Sequence, residues 1–318
     1  MSNPGRFPFI RALSPDLNGW GFFLCTQKDV RQGRSGDLYI SLSLQDKTGL
    51  VRARIFNDAA RLRDEFDNGE FVKVQGRTDL FNGRVQLLVE KIRRINPDQD
   101  KAQGFREEDC VLCAARPIEE MWGELQELIQ HVRDPHVREL LQKLATEHAD
   151  KLRIWPAAQT VHHAYRSGFL EHILSVARSA LTLGTIYGAN QDLLTAGALL
   201  HDIGKLEELD YDRSTSYSRE GNLVGHVTLG TMMVRAAMMS IPEFPDLLRT
   251  QIEHLIVSHH GQKEFGAPVE PMTIEAMILS AADDLDAKIN QVRQALAEEG
   301  EGEFTPYHSR LGRVLWRG

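Results

Sequence analysis

Cysteine is scarce in this chain of 318 residues: only Cys25, Cys110 and Cys113 are present. An odd, low number does not build a disulfide framework and fits a reduced, cytoplasmic protein. Cys110-x-x-Cys113 has no second pair to complete the four ligands of a structural zinc site, so plain thiols are expected. No apolar run approaches the roughly 18 residues that span a bilayer, so no membrane association is expected. The opening residues, MSNPGRFPFIRALSP, lack the apolar core of a secretory signal. Internal repeats and low-complexity tracts are missing. So are the motifs of several enzyme classes: there is no GxSxG, no GxxxxGK[ST] and no GxGxxG opening a helix.

What is present is an ordinary folding composition, with 42% hydrophobic and 26% charged residues. The length favours two domains or more. A net charge of −8 by itself argues against a nucleic-acid partner, but it hides an asymmetry. Residues 1–95 hold 16 Lys+Arg against 11 Asp+Glu, a net of +5; the remainder holds 21 against 34, a net of −13. A basic front module on an acidic chain suggests that this module meets phosphates.

That module reads as short strands. Apolar residues alternate with polar ones at Leu38, Ile40, Leu42 and Leu44, again at Val51, Ala53 and Ile55, and at Val72 and Val74. Gly21–Cys25 precedes them, and Val85, Leu87 and Val89 follow. Period-two alternation marks half-buried strands. Asp46-Lys47-Thr48-Gly49 and Asn82-Gly83 are hairpin turns, and Asp58–Phe66 reads as a helix between the third and fourth strands. Five strands in that order predict an all-β OB-fold barrel, a fold that binds single strands with stacked aromatics and a basic groove. Tyr39, Arg52, Arg54, Phe56, Phe71 and Lys73 fall on faces opposite the barrel interior, with Arg77, Phe81 and Arg84 near the last turn.

From Ile118 onward the spacing of apolar residues becomes three and four, so an all-α domain is expected to follow the barrel. Helices are read to about Val132, from Pro135 to about His148, and over Phe169–Tyr187, Gln191–Ile203, His226–Met239, Pro245–His260 and Met272–Glu299. Short strand pieces fit only near Tyr211–Ser218.

This half holds an ordered set of metal-binding residue types. They are His172 in FLEHILSVA, His201 and Asp202 in LLHDIGK, His226 in GHVTLG, His259 and His260 in VSHHG, and Asp283 in AADDLDAK. Imidazole and carboxylate suit Mn, Fe, Co or Zn. Apolar neighbours imply that the His201–Asp202 pair is partly buried, and a buried Asp is costly unless paired or metal-bound. Adjacent residues on a helix point about 100° apart, so both reach one site. A carboxylate can bridge two ions and an imidazole rarely does, which makes Asp202 the natural centre of a two-metal site. Lys205, three residues on, shares that face. It either acts in catalysis, holding a substrate phosphate or protonating a leaving oxygen, or is a solvated lysine near a helix end. His254 points about 140° from His259 and is left out; Asp284 and Asp286 are expected to cap or solvate. Two metal ions activating a water make phosphoryl hydrolysis the expected reaction.

The order H…HD…H…H…D resembles the HD-domain superfamily of metal-dependent phosphohydrolases. With the barrel in front, it is most similar to YhaM-type 3′–5′ exoribonucleases. The supporting segments are HHAYRSGFLEHILSVAR, AGALLHDIGKLEEL, GNLVGHVTLG, LIVSHHGQKEFGAPVEPMTIEA and ADDLDAK. The resemblance implies that His172, His201, Asp202 and Asp283 hold one ion. Asp202 would bridge to a second, held also by His226 and His259. His260 either joins the second ion or faces substrate. His163 and Arg166 either meet a substrate phosphate or are structural. Mn2+ is the expected metal, with Fe, Co and Zn as alternatives. Ser167-Gly168-Phe169 departs from the expected Gly-Gly-Leu.

The polar, turn-rich NPDQDKAQG at 96–104 reads as a linker; with the resemblance, the expected order is barrel over 1–95, linker over 96–117, a helical segment over 118–160 packing on the HD domain, the HD domain over 161–300, and a tail over 301–318. The resemblance implies an exoribonuclease acting on single-stranded RNA or DNA and releasing nucleoside 5′-monophosphates. Two alternatives stay open. One is a nucleotidase, dNTP triphosphohydrolase or cyclic-nucleotide phosphodiesterase. The other is a nucleic-acid-binding protein with a structural metal. The segment from Glu107 to Asp150 supplies no ligand and is free to make an interface, so a homo-oligomer is expected.

Overall fold

The computed structural model describes residues 5–33, 36–158, 163, 165–211, 215–297 and 302–318. The chain divides into two compact units between Cys113 and Ala114.

The first unit contains β1 (Gly5–Arg6), β2 (Asn18–Gln32), β3 (Leu38–Asp46), β4 (Gly49–Ile55), β5 (Phe71–Phe81) and β6 (Arg84–Arg94). The strand order is β1-β2-β3-β4-β6-β5, and β5 pairs back onto β2. Strand β2 serves two neighbours because its register shifts between Cys25 and Gln27. Asn18 to Leu24 pair with β5, while Leu24 to Gln32 pair with β3. Such a bulge bends a strand and lets a small sheet close.

The alternation read from the sequence becomes inside and outside. Ile40, Leu42, Leu44, Val51, Ala53, Ile55, Val72, Val74 and Leu87 are buried in one core. At the β5–β6 turn Asn82 and Gly83 have φ of 51° and 76°, both in the left-handed region a tight hairpin requires. Helix α1 (Ala59–Leu62) is shorter than the sequence suggested, but Ala59, Leu62 and the following Phe66 all enter the barrel core. A closed five-stranded barrel with this helix between its third and fourth strands is the OB-fold.

The segment read as a linker belongs to this unit up to Cys113. Its helix α2 (Pro97–Asp100) ends on a buried carboxylate, which Arg93 grips at 2.7 and 2.8 Å. Phe105, Cys110 and Val111 pack with Phe22, Leu24 and Phe71. Phe71 and Lys73 do lie opposite the barrel interior, but that face is covered rather than open. Phe71 is buried edge-on against Phe105 at 5.6 Å, and the Lys73 ammonium lies 4.4 Å over the Trp20 ring.

The second unit contains α3 (Ile118–His131), α4 (Pro135–Glu147), α5 (Ala149–Ile154), α6 (Gly168–Tyr187), α7 (Gln191–Leu200) and α8 (Lys205–Glu208). After the two-stranded β7 (Leu209–Tyr211) and β8 (Thr215–Tyr217) come α9 (Arg219–Val224), α10 (His226–Met239), α11 (Asp246–Ser258) and α12 (Ile274–Ala297). Local chemistry sets several starts. The Asp134 and Asn190 side chains accept from the first free amides of α4 and α7, and Pro135 sits where its missing N–H costs nothing. Helices α6 and α7 are central, burying Phe169, Leu170, Ile173, Leu194 and Leu200 against Ile252, Leu255 and Leu279 of α11 and α12. Among the described residues, no helix is long and apolar enough to cross a membrane.

Candidate metal centre

The metal-binding residue types of the helical unit come together from five places. His172 is on α6, His201 and Asp202 are in the turn after α7, and His226 opens α10. His259 and His260 follow α11, and Asp283 is on α12. The turn after α7 presses onto the start of α10 because residue 204 is glycine. A Cβ there would lie 2.0 Å from the His226 carbonyl oxygen.

Asp202 is 2% exposed, and its two oxygens face different sets. Oδ2 is 3.4 Å from His172 Nε2 and 3.5 Å from His201 Nε2. Asp283 Oδ1 joins that set, 3.3 Å from His172 Nε2 and 3.8 Å from His201 Nε2. Oδ1 of Asp202 is 3.4 Å from His226 Nε2 and 3.5 Å from His259 Nε2. His260 stands with this second set, its Nε2 3.3 Å from His226 Nε2.

Every imidazole turns the same nitrogen inward. Nδ1 of His172 bonds Asp286 at 2.8 Å, and Nδ1 of His226 bonds Glu208 at 3.0 Å. Nδ1 of His201, His259 and His260 bonds the carbonyls of Ala198, Ile256 and Phe265 at 3.0, 2.6 and 2.8 Å. All five partners are acceptors, so Nδ1 carries the proton and the Nε2 lone pair faces the centre.

The donor set fits divalent ions. Asp202 Oδ1 and His259 Nε2 are buried without a hydrogen-bond partner. Unpaired buried polar atoms cost about 1–3 kcal/mol each, and a cation satisfies both. The Nε2 atoms of His172 and His201 are 3.3 Å apart. Two nitrogens about 2.1 Å from one shared ion have about that separation.

Charge states agree at every group described except His172. Burial pushes His259 and His260 toward the neutral ring, His260 down to about 4. Burial disfavours the charge on Asp202, but Lys205, His201 and His172 outweigh it and hold the carboxyl well below its ordinary range. Asp283 is lowered in the same way by His172 and His201. For His172, burial favours the neutral ring, yet Asp202, Asp283 and Asp286 raise its pKa well above the ordinary value. A cation and that proton compete for Nε2.

Lys205 is at the cluster rather than in solvent: its half-buried side chain brings the ammonium 2.6 Å from Asp202 Oδ2. His163 is also buried, with Nε2 3.0 Å from Asp286 and Nδ1 3.1 Å from Glu171. It therefore reaches the cluster through Asp286, not through an open nitrogen toward substrate. Arg166 is half-buried, and among the described residues its side chain is not tied to this network. Ser167 has φ of 65°, which explains why glycine is the residue the family resemblance implies there. Its hydroxyl is tied to the Arg153 carbonyl at 2.7 Å, and Gly168 next to it has no room for a Cβ, which would lie 2.0 Å from the His163 carbonyl oxygen.

Asp286 corrects the sequence reading. It does not cap or solvate but accepts from His172, from His163 and, at 2.5 Å, from Ser175. The available signal was its spacing of three from Asp283 on one helix face. Glu208, which holds both the ring and the backbone N–H of His226, carried no local signal.

On the barrel, Tyr39, Arg52, Arg54 and Phe56 share the outward side of β3 and β4 and the residue after β4. The Tyr39 and Phe56 rings are 5.9 Å apart and tilted by 31°. The Arg54 guanidinium lies 4.5 Å over the Phe81 ring from the end of β5. OB-folds bind oligonucleotides on this strand pair and on the adjoining β5–β6 turn.

Two family models match the chain: HD domain over residues 169–288 and OB-fold nucleic acid binding domain over residues 26–95. The chain is 35% identical over 275 residues to the 3′-5′ exoribonuclease YhaM of Bacillus subtilis strain 168, covering 85% of each protein. It is 33% identical over 283 residues to the 3′-5′ exoribonuclease YhaM of Geobacillus sp. strain WCH70, covering 87% of this chain and 85% of that one. Among solved structures it is similar to the second OB-fold domain of replication protein A from Methanococcus maripaludis, with 25% identity over 27% of this chain and 92% of that one and a TM-score of 0.23. With that identity over most of both lengths, and an OB-fold ahead of an HD domain, the chain belongs to the YhaM family of 3′–5′ exoribonucleases.

Proposed function

We propose that this chain is a metal-dependent 3′–5′ exoribonuclease that hydrolyses single-stranded RNA at the Asp202-centred cluster and releases nucleoside 5′-monophosphates. The observation that carries the reading is the Asp202 carboxylate, whose two oxygens face two separate sets of inward Nε2 atoms. His172, His201 and Asp283 would hold one divalent ion, and His226, His259 and His260 the other, with Asp202 shared. Mn2+ suits this histidine and carboxylate set, as do Fe, Co and Zn. When bound, two such ions activate water and offset charge developing on the phosphate.

Hydrolysis breaks the bond from phosphorus to the 3′ oxygen of the preceding nucleotide. The hydroxyl of water goes to phosphorus and its proton to that leaving oxygen. Lys205 is the protein's cation at this place, able to bond a phosphate oxygen or protonate the leaving oxygen. Asp286 and Glu208 fix the rings of His172 and His226 in the ligand tautomer. The barrel's part is to hold the strand, stacking bases on Tyr39 and Phe56 and pairing phosphates with Arg52 and Arg54. DNA is the second polymer to test. The experiment is purified protein with Mn2+ and a 5′-labelled single-stranded oligonucleotide. Stepwise shortening from the 3′ end is expected; no shortening by metal-loaded protein would sink the reading.

A further inference from the structure

Phe265 is a large apolar side chain left 69% exposed. Its turn, Lys263–Phe265, is nevertheless fixed at several points. The Phe265 amide donates to the Gln262 carbonyl at 3.1 Å, and the Gly266 amide donates to Lys263 at 3.0 Å. The Phe265 carbonyl accepts from His260 Nδ1 at 2.8 Å, so the turn is tied directly to the cluster. The ring lines a cleft of about 210 Å3 together with Asp202, Lys205, His259 and His260. One further wall is a single face of α12, built from Ser280, Asp283, Asp284 and Ala287 at spacings of three and four. The cleft thus combines the cluster, a polar helix face and one exposed aromatic ring.

We infer that Phe265 stacks on the base of the 3′-terminal nucleotide and so positions its phosphate at the cluster. The inference rests on the exonuclease reading and names a positioning residue for it. A terminal nucleotide joins phosphate and base through one sugar, which matches a cleft with the cluster and an aromatic ring among its lining groups. Every base offers a π-face, so stacking is tolerant of sequence. An enzyme that shortens any strand one nucleotide at a time needs that tolerance. The polar lining comes from α12 and the cluster, leaving Phe265 as the large apolar surface of the cleft. Because the turn is already held by its own hydrogen bonds, little ordering is needed when a base arrives.

The test compares full-length wild type, Phe265→Ala and Phe265→Trp with Mn2+. Two 5′-labelled RNAs are used, one with an ordinary 3′-terminal nucleotide and one whose terminal nucleotide lacks its base. Each variant keeps the backbone carbonyl that holds His260. Phe265→Ala is expected to raise KM for the ordinary RNA by about 5- to 150-fold, the range for one base on one ring, with kcat changed much less. Wild type should show the same loss on the abasic end, and Phe265→Ala should add nothing further there. Phe265→Trp should keep KM near the wild-type value. Equal losses on both RNAs, loss of bound metal in Phe265→Ala, or an unchanged KM would overturn the inference. If wild type shortens RNA and Phe265→Ala matches it, this inference fails alone; if wild type shortens nothing, the exonuclease reading fails and takes this inference with it.

Discussion

The two units carry their functional groups in opposite ways. In the helical unit Asp202 is 2% exposed, and each imidazole around it is fixed from behind by a second hydrogen bond. On the barrel, Phe56 is 54% exposed and meets Tyr39 only as a tilted ring neighbour. Holding ions requires lone pairs aimed at fixed points, and burial with outer hydrogen bonds supplies that. Gripping a polymer of any sequence requires surfaces that are open and tolerant. The difference teaches where changes should be all-or-none and where they should be graded.

Several substitutions test that contrast. Asp202→Ala removes the group common to both sets, and turnover should fall by roughly three orders of magnitude or more, measured by initial rates on 5′-labelled RNA. Residual turnover near wild type would break the contrast at once. Next in size are Asp286→Asn and Glu208→Gln, which leave every inward nitrogen in place but loosen His172 and His226. Metal affinity or activity should drop by about 10- to 100-fold, and excess Mn2+ should restore part of it. Arg54→Ala with Phe56→Ala acts on the open surface. There KM should rise by at least about 5-fold, the low end for one stacked base, while kcat stays put. The salt dependence of binding should also weaken by about one phosphate contact. A fall in kcat instead would mean that the barrel face acts in the chemistry.

The smallest effect is structural. Glu124 on α3 accepts from Arg178 on α6 at 2.5 and 2.6 Å and from Arg116 at 2.7 Å. Burial pushes its carboxyl up, but the two arginines outweigh burial and hold it below the ordinary value. A lowered carboxyl gives stability that is present above its unfolded pKa and lost as pH falls through the folded one. Glu124→Gln should therefore cost about 1 kcal/mol, or about 2–4 °C in Tm, at neutral pH. The gap to wild type should close in acid.

The legibility of the sequence follows how local each signal is. Alternation at Leu38–Leu44 and Val51–Ile55 announces β3 and β4, because the side-chain period of a strand is a property of neighbours. The left-handed turn at Asn82-Gly83 is local in the same sense. HDIGK and the spaced histidines were readable because each sits in a short segment of distinctive chemistry. What escaped was non-local. Asp286 holds a histidine 114 positions away, and its spacing of three from Asp283 is only a faint local trace of that contact. Phe71 reads as an outward strand residue until Phe105 arrives from beyond β6 to cover it. For the same reason residues 96–113 look like a polar linker, although Phe105, Cys110 and Val111 are packed on the barrel.

If Asp202 is shared between two ions, the metal content of the protein reports it. Wild type and Asp202→Ala are dialysed against Mn2+ under identical conditions, and bound metal per chain is determined by elemental analysis alongside a folding check by circular dichroism. The account predicts two ions per wild-type chain and loss of at least one, with turnover, in a folded Asp202→Ala protein. A single ion in wild type, retained when Asp202 is removed, would contradict it.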